Sequence, residues 1–462
     1  MQQLKGQIES QFSGAADFIR RSVLTPAGEE VIVYAIDGLV AGIHLGDSVV
    51  KPLVQGDAVY GAVEVPVQDA QKAAWLLVNG FCVVVWPDRI AAYEVKTPEK
   101  RGVSAPTVEN TVKGAKDAFT ETNRTNTSLI RRHLRTPDLR VFETQVGRRS
   151  LTNVSVLSIE GLTNPDLLAR VKARLAEIDI DGLISPAAAE EYLTGSRKTA
   201  FPLLSFTERT DKFCQGLLAG RVGVIVDGLP LGYLLPVDLA YLLHSPEDRG
   251  TDYITASCVR VLRYIALLLS LLLPGLYVAA AYFHPEMLPT QLLLSIIESK
   301  KDVPFPTVME VLGLLVAFEL LQEAGLHLPK AVGHTVSIIG GLVVGSAAVE
   351  AKLISPAALI VVAVAGICGY CLPVQDFANA VRVWRFGLTL CACLAGLFGL
   401  SMGAVALAIH LAQIESLGVA YLAPFCREEG AASILRTRLV RQRRRDGFLK
   451  PEDRFNQREE KK

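Results

Sequence analysis

The sequence lacks the motifs on which much catalytic chemistry depends. Its seven histidines are dispersed. It has no Gly-x-Ser-x-Gly, no His-Glu-x-x-His and no phosphate-binding glycine loop, so catalysis of those kinds has no footing. Gly340-Gly341-Leu342-Val343-Val344-Gly345 is glycine-rich, but it lacks the Lys and Ser/Thr of a P-loop and sits among apolar residues. Eight cysteines are scattered along the chain. Only Cys368-Gly-Tyr-Cys371 has metal or redox spacing, without His or carboxylate neighbours, and packing residues in a reducing compartment are expected instead. The first residues, Met1 to Phe12, contain no apolar core of a signal peptide, so no cleaved leader is expected. Formal net charge is zero, from 47 basic and 47 acidic residues, which says little about partners. No enzymatic activity, cofactor or metal is expected.

What is present is one uninterrupted apolar run, Tyr264 to Phe283. At a rise of ~1.5 Å per residue it covers ~30 Å, the thickness of a bilayer's hydrocarbon core. A buried core helix is rarely apolar on every face for so long, and Pro274 is tolerated in a spanning helix. Around this run the chain divides. Residues 1–257 have the mixed composition of a soluble α/β protein, 258–425 are lipid-phase sequence, and 426–462 form a basic tail expected to lie on anionic lipid.

Inside the soluble region, a pair of passages echo each other. Val31 to Val40 resembles Val154 to Thr163, each a β-branched strand closing on Ile-acid-Gly-Leu. Residues 76–95 resemble 217–237, each a Gly-closed helix end followed by strand, turn and strand. Two related α/β subdomains, 1–98 and 150–257, are expected around a basic helical linker, 99–149, with a helix over Thr107 to Arg132 and an extended segment over Leu139 to Gln145. The linker's arginines lack aromatic neighbours for base stacking, which argues against nucleic acid. Arg131, Arg132, Arg148 and Arg149 are candidate subunit contacts, with internal ion pairing the other reading.

The lipid-phase region suggests about four to six membrane segments, and the fold class is an α/β soluble region followed by an α-helical polytopic membrane domain. Arg260 and Arg263, before the first run, are expected to hold the soluble region on the cytoplasmic side. Five spans are plausible, whereas two cytoplasmic termini require an even number. Met287 to Ile297 is too short to span and suggests an interfacial or re-entrant piece. Pro306 to Leu326 is long enough, yet carries Glu310, Glu319 and Glu323. Acids at membrane depth usually mark an ion or substrate path; a surface helix, or pairing with Lys330 and the arginines, is the other reading. Gly341 with Gly345, and Gly399 with Gly403, have the small-xxx-small spacing of close helix packing.

Several stretches carry a family resemblance: Asn126-Thr-Ser-Leu-Ile-Arg131-Arg132, Gly147-Arg148-Arg149-Ser150, Ile178-Asp-Ile-Asp181-Gly182, His284-Pro-Glu286-Met-Leu-Pro289-Thr290, Val303-Pro-Phe-Pro306 and Tyr421-Leu-Ala-Pro-Phe425. Together they resemble the A-subunit family of spore germinant receptors (GerA type), with the stage V sporulation AF-type proteins as a close relative class. The resemblance implies an integral protein of the spore inner membrane, a homo-oligomer, and partnership with a transporter-like B subunit and a lipoprotein C subunit. It also implies a nutrient-gated release of cations through the A-subunit oligomer, or a non-conducting scaffold if the AF-type relationship holds.

Overall fold

The computed structural model describes residues 2–66, 69–96, 105–106, 109, 111, 113–195, 198–327, 343–426, 434–438, 440 and 442–456. The soluble region holds two five-stranded antiparallel sheets of identical strand order. In the first, β1 (Phe18–Leu24), β2 (Glu30–Ile36), β3 (Ala62–Glu64), β4 (Phe81–Val85) and β5 (Ile90–Glu94) lie in the order 1-2-4-5-3. In the second, β6 (Leu139–Val146), β7 (Thr152–Ile159), β8 (Ser205–Thr207), β9 (Val222–Val226) and β10 (Gly232–Leu235) lie in the order 6-7-9-10-8. The sequence echo therefore falls on equivalent elements, β2 with β7 and the hairpin β4–β5 with β9–β10.

Both sheets are covered on both faces, and strand alternation assigns the residues. Ile32, Tyr34 and Ile36 enter one core while Val31, Val33 and Ala35 enter the other. Helices α1 (Gln2–Gln11) and α2 (Ala70–Val78) cover the first face. Asp69 caps α2 by accepting from the Lys72 amide at 2.8 Å, and Gly80, at φ 84°, turns the chain out of it into β4. Gly220, at φ 95°, does the same before β9.

The expected linker belongs to the second sheet. Its β6 pairs along its whole length with β7, and α3 (Asn123–His133) places Ile130 in the core with Leu157 and Leu217. The helix expected from Thr107 is thus shorter, because residues 113–122 run as an irregular strap. The Asn126 side chain holds that strap by bonding to the amide and carbonyl of Thr120. Helices α4 (Pro165–Ala176) and α5 (Pro186–Thr194) cover one face and α6 (Thr210–Leu218) the other.

Between residues 253 and 413 most of the described residues are helical. A helix begins with α7 (Tyr253–Val278), capped by Asp252, and continues to Phe283. There follow α8 (Thr290–Lys300), α9 (Thr307–His327), α10 (Pro356–Tyr370) and α11 (Gln375–Gln413). Among the described residues, two helices are long and apolar enough to cross a membrane, Tyr253–Phe283 and Gln375–Gln413. Their outward faces are apolar, with Leu268, Leu276, Leu394, Phe398, Met402 and Ile409 exposed.

The second of these helices is bent back on itself. Ala395 (φ −138°, ψ 20°) and Gly396 (φ 60°, ψ −138°) leave helical geometry. Beyond them Gly399 meets the Cys391 carbonyl and Gly403 meets Leu388. In a straight helix, residues eight or more positions apart are separated by ~12 Å, so the two legs of α11 lie against each other as a hairpin. Gly275 of α7 packs on both legs, at Ala392 and Leu400.

The chain leaves α11 through a two-stranded hairpin, β11 (Glu415–Ser416) and β12 (Val419–Ala420), which docks on the second soluble unit. The Ser416 hydroxyl donates to the Leu203 carbonyl at 2.5 Å and accepts from the Val237 amide at 3.2 Å, and the Leu239 amide donates to the Tyr421 carbonyl. The described residues of the tail also return to this unit. Arg445 donates to the Leu218 carbonyl, and the Glu452 amide donates to that of Leu162. These described residues of the basic tail therefore lie against the second unit.

Candidate functional site

Helix α9 carries three carboxylates, Glu310, Glu319 and Glu323. Glu310, in its first turn, is 3% exposed. Its carboxylate accepts from the Ser355 amide (2.9 Å) and hydroxyl (2.6 Å) at the start of α10, and pairs with Lys300 of α8 at 3.1 Å. Nine residues on, ~14 Å along the axis, Glu319 pairs with Arg385 at 2.9 Å and Arg382 at 3.2 Å. Gln322 joins this cluster, accepting from Arg382 and donating to the Tyr370 hydroxyl at 2.6 Å. Between the two clusters Val311, Leu314 and Leu315 pack against Val278, Ala358 and Val362.

The sequence places Glu319 and Glu323 one turn apart, and the structure separates their surroundings. Glu319 turns toward α11, while Glu323 is exposed. Glu310 and Glu319 sit in different clusters, each matched by cations of the same chain. Ionised groups away from water persist only when so paired. The i, i+3 spacing of Arg382 and Arg385 was the sequence signal for a cation face opposite α9.

The candidate arginines of the soluble region fall into two classes. Arg131 is corrected from a subunit contact to a buried tie, because its side chain is 1% exposed and donates to both oxygens of Asp17 at 2.7 and 2.8 Å. Asp17 directly precedes β1, so this pair fastens the first unit to the second. Arg132 is half-buried, while Arg148 and Arg149 are exposed and face Asp179 (2.5 Å) and Asp181 (3.6 Å) of their own chain.

Of the candidate packing glycines, Gly399 and Gly403 line the contact between the legs of α11, and a methyl group on Gly345 would lie 3.9 Å from Leu359. Gly341 is outside the described residues. The short segment expected to be interfacial forms α8, with Leu292, Leu294 and Ile297 exposed.

One site has no counterpart among the sequence expectations. Arg260 and Arg263, singled out as orienting charges, converge on Asp248 at 3.0 and 2.8 Å. Asp248 is 3% exposed and lies in the turn just before α7. The two arginines thus clamp the first long helix to the soluble unit, sharing one carboxylate between their two charges.

The family model described as Bacillus/Clostridium GerA spore germination protein matches residues 6–448. The chain is 33% identical over 438 residues to spore germination protein KA of Bacillus subtilis (strain 168), covering 90% of this chain and 80% of that one. To spore germination protein A1 of the same organism it is 36% identical over 380 residues, 82% and 78% of the two chains. It is also 32% identical over 416 residues, 86% and 81%, to a B. subtilis protein described as uncharacterized membrane protein YfkQ. The crystal structure of the N-terminal domain of the A subunit of the Bacillus megaterium spore germinant receptor GerK3 matches at a TM-score of 0.37 and 22% identity, covering 50% of this chain and 92% of that one. With a match along nearly its whole length and relatives of this identity, the chain belongs to the Bacillus/Clostridium GerA spore germination protein family.

Proposed function

We propose that this protein is the A subunit of a nutrient germinant receptor, working as a homo-oligomer in the spore inner membrane beside a transporter-like B subunit and a lipoprotein C subunit. Its task is to let cations out when nutrient is bound, and it performs no catalysis of its own. The helices from α7 onward form the membrane domain and the two sheets lie on the cytoplasmic side.

The observation that carries this reading is the cluster of Glu319 with Arg382 and Arg385. It places ionised groups between α9 and α11, in a region whose outer faces are apolar. Several copies packed around α9 would give these acids a common aqueous path, and rings of acid favour cations. In a closed state the arginines neutralise the acids; parting the pairs would open the path. The Asp248 clamp supplies the mechanical link, since a displacement of the soluble unit pulls directly on α7.

Glu319→Ala should impair cation release from germinating spores without preventing assembly, and Glu323→Ala should do likewise. Release at the wild-type rate from both variants would remove these acids from the path. A second reading, a non-conducting scaffold of the stage V sporulation AF type, is favoured by the complete pairing of Glu310 and Glu319 within one chain. Planar bilayers holding the purified protein separate the two: cation current supports the channel, and a silent bilayer with intact oligomers supports the scaffold.

A further inference from the structure

Where α6, the Leu239–Leu243 turn and the start of α7 meet the returning C-terminal chain, the protein encloses a cavity of about 470 Å³. Small-molecule sites occupy roughly 300–1,000 Å³. Eight Lys or Arg side chains line it against two aspartates, Asp238 and Asp446.

Several of the cations are engaged in building the wall. Arg221 donates to Asp238 at 2.7 Å and stacks on the Tyr241 ring at 4.1 Å. Arg260 is held by Asp248, Lys212 by Glu109 at 2.6 Å, and Arg445 by Asp453 at 3.0 Å. Arg436 donates to the carbonyls of Thr251 and Arg249.

Arg249 is different. Its side chain is exposed and has no hydrogen-bond acceptor among the described residues; the nearby charge of Asp446 attracts it and that of Arg436 repels it. The Nε of Arg221, a residue 2% exposed, likewise finds no acceptor among the described residues. An arginine cannot shed its proton to escape such surroundings. An anion relieves it, and the planar guanidinium fork matches the oxygens of a phosphoryl group.

We propose that this cavity is a binding site for a phosphoryl-bearing anion, gripped by Arg249 and Arg443 against the Arg221 wall. Two sources offer that chemistry. One is the phosphodiester headgroup of a membrane lipid, since α7 leaves the cavity toward the apolar region. The other is a soluble phosphate compound. In either case the ligand ties together the second sheet, the start of α7 and the C-terminal segment, three regions that no single element joins.

The test uses the full-length protein in a non-ionic detergent at low salt, titrated calorimetrically with inorganic pyrophosphate and, separately, with dihexanoyl phosphatidylglycerol. At least one probe should bind saturably, one per chain. Arg249→Ala should weaken that binding about tenfold or more, Arg249→Lys should keep some of it, and Arg148→Ala, on a distant surface, should leave it unchanged. Tighter pyrophosphate binding identifies a soluble anion, and tighter lipid binding identifies a headgroup. Should Arg249→Ala elute abnormally on sizing, Arg443→Ala, whose side chain is exposed, takes its place in the comparison. Absence of saturable binding by both probes, or equal affinity in the cavity variant and Arg148→Ala, would overturn the proposal.

Discussion

Asp17 and Arg131 come from different halves of the soluble region, and each side chain is 1% exposed. Removing one partner leaves the other charge buried and unmatched, which costs about 3–5 kcal/mol. Arg131→Ala should therefore lower the thermal stability of the purified protein sharply, and adding Asp17→Ala should restore some of the loss. His133 offers a gentler test. Its Nε2 lies 2.7 Å from Asp117, a hydrogen bond that raises its pKa above 6.5 and, with the Thr210 hydroxyl, holds Asp117 at about 2. A raised histidine pKa stabilises the fold fully below 6.5, and that contribution disappears as pH climbs through the folded value. The stability gap between wild type and His133→Asn should accordingly be widest near pH 6 and narrow toward pH 9 in melting experiments. The density of basic residues from 131 to 149 is plain in the sequence. Which of them are buried is not, because the acid that answers Arg131 lies 114 residues away.

At the level of elements, composition alone announces α7 and its apolar run, and runs of β-branched residues announce β2, β7 and β9. The hairpin in α11 is not legible in this way, since Leu394-Ala395-Gly396-Leu397 reads as unbroken helix and only packing against Phe283 and His284 shows why the chain turns there. A methyl group on Gly399 would lie 2.0 Å from the Cys391 carbonyl oxygen, backbone that cannot yield, whereas one on Gly403 would lie 2.8 Å from the movable end of Leu388. Gly399→Ala should thus sharply reduce recovery of monodisperse protein on sizing, and Gly403→Ala should cost much less. The reverse ranking would mean that the legs do not meet in this way.

For the whole molecule, duplication is legible because equivalent strands carry similar local sequence, and the identical strand orders give that echo a spatial meaning. The expected boundary between the copies is misplaced because arginine-rich composition outweighs the strand pattern of residues 139–146. Topology needs the tertiary contacts. The start of α7 is fastened through Asp248, and the exit from α11 through Ser416 and Tyr421, both to the second soluble unit. A segment whose two ends return to one body crosses a bilayer an even number of times. Single cysteines introduced near residues 10 and 452 should therefore react with an impermeant thiol reagent from the same side of sealed vesicles.

That return also sets an order of events during synthesis. The Leu203 carbonyl and the amides of Val237 and Leu239 leave the ribosome roughly two hundred residues ahead of Ser416 and Tyr421, which bind them. Until residues 416–421 follow the last apolar helix, this patch of the second unit stays without its permanent cover. The second unit is thus completed only by a chain whose helical region has already been synthesised.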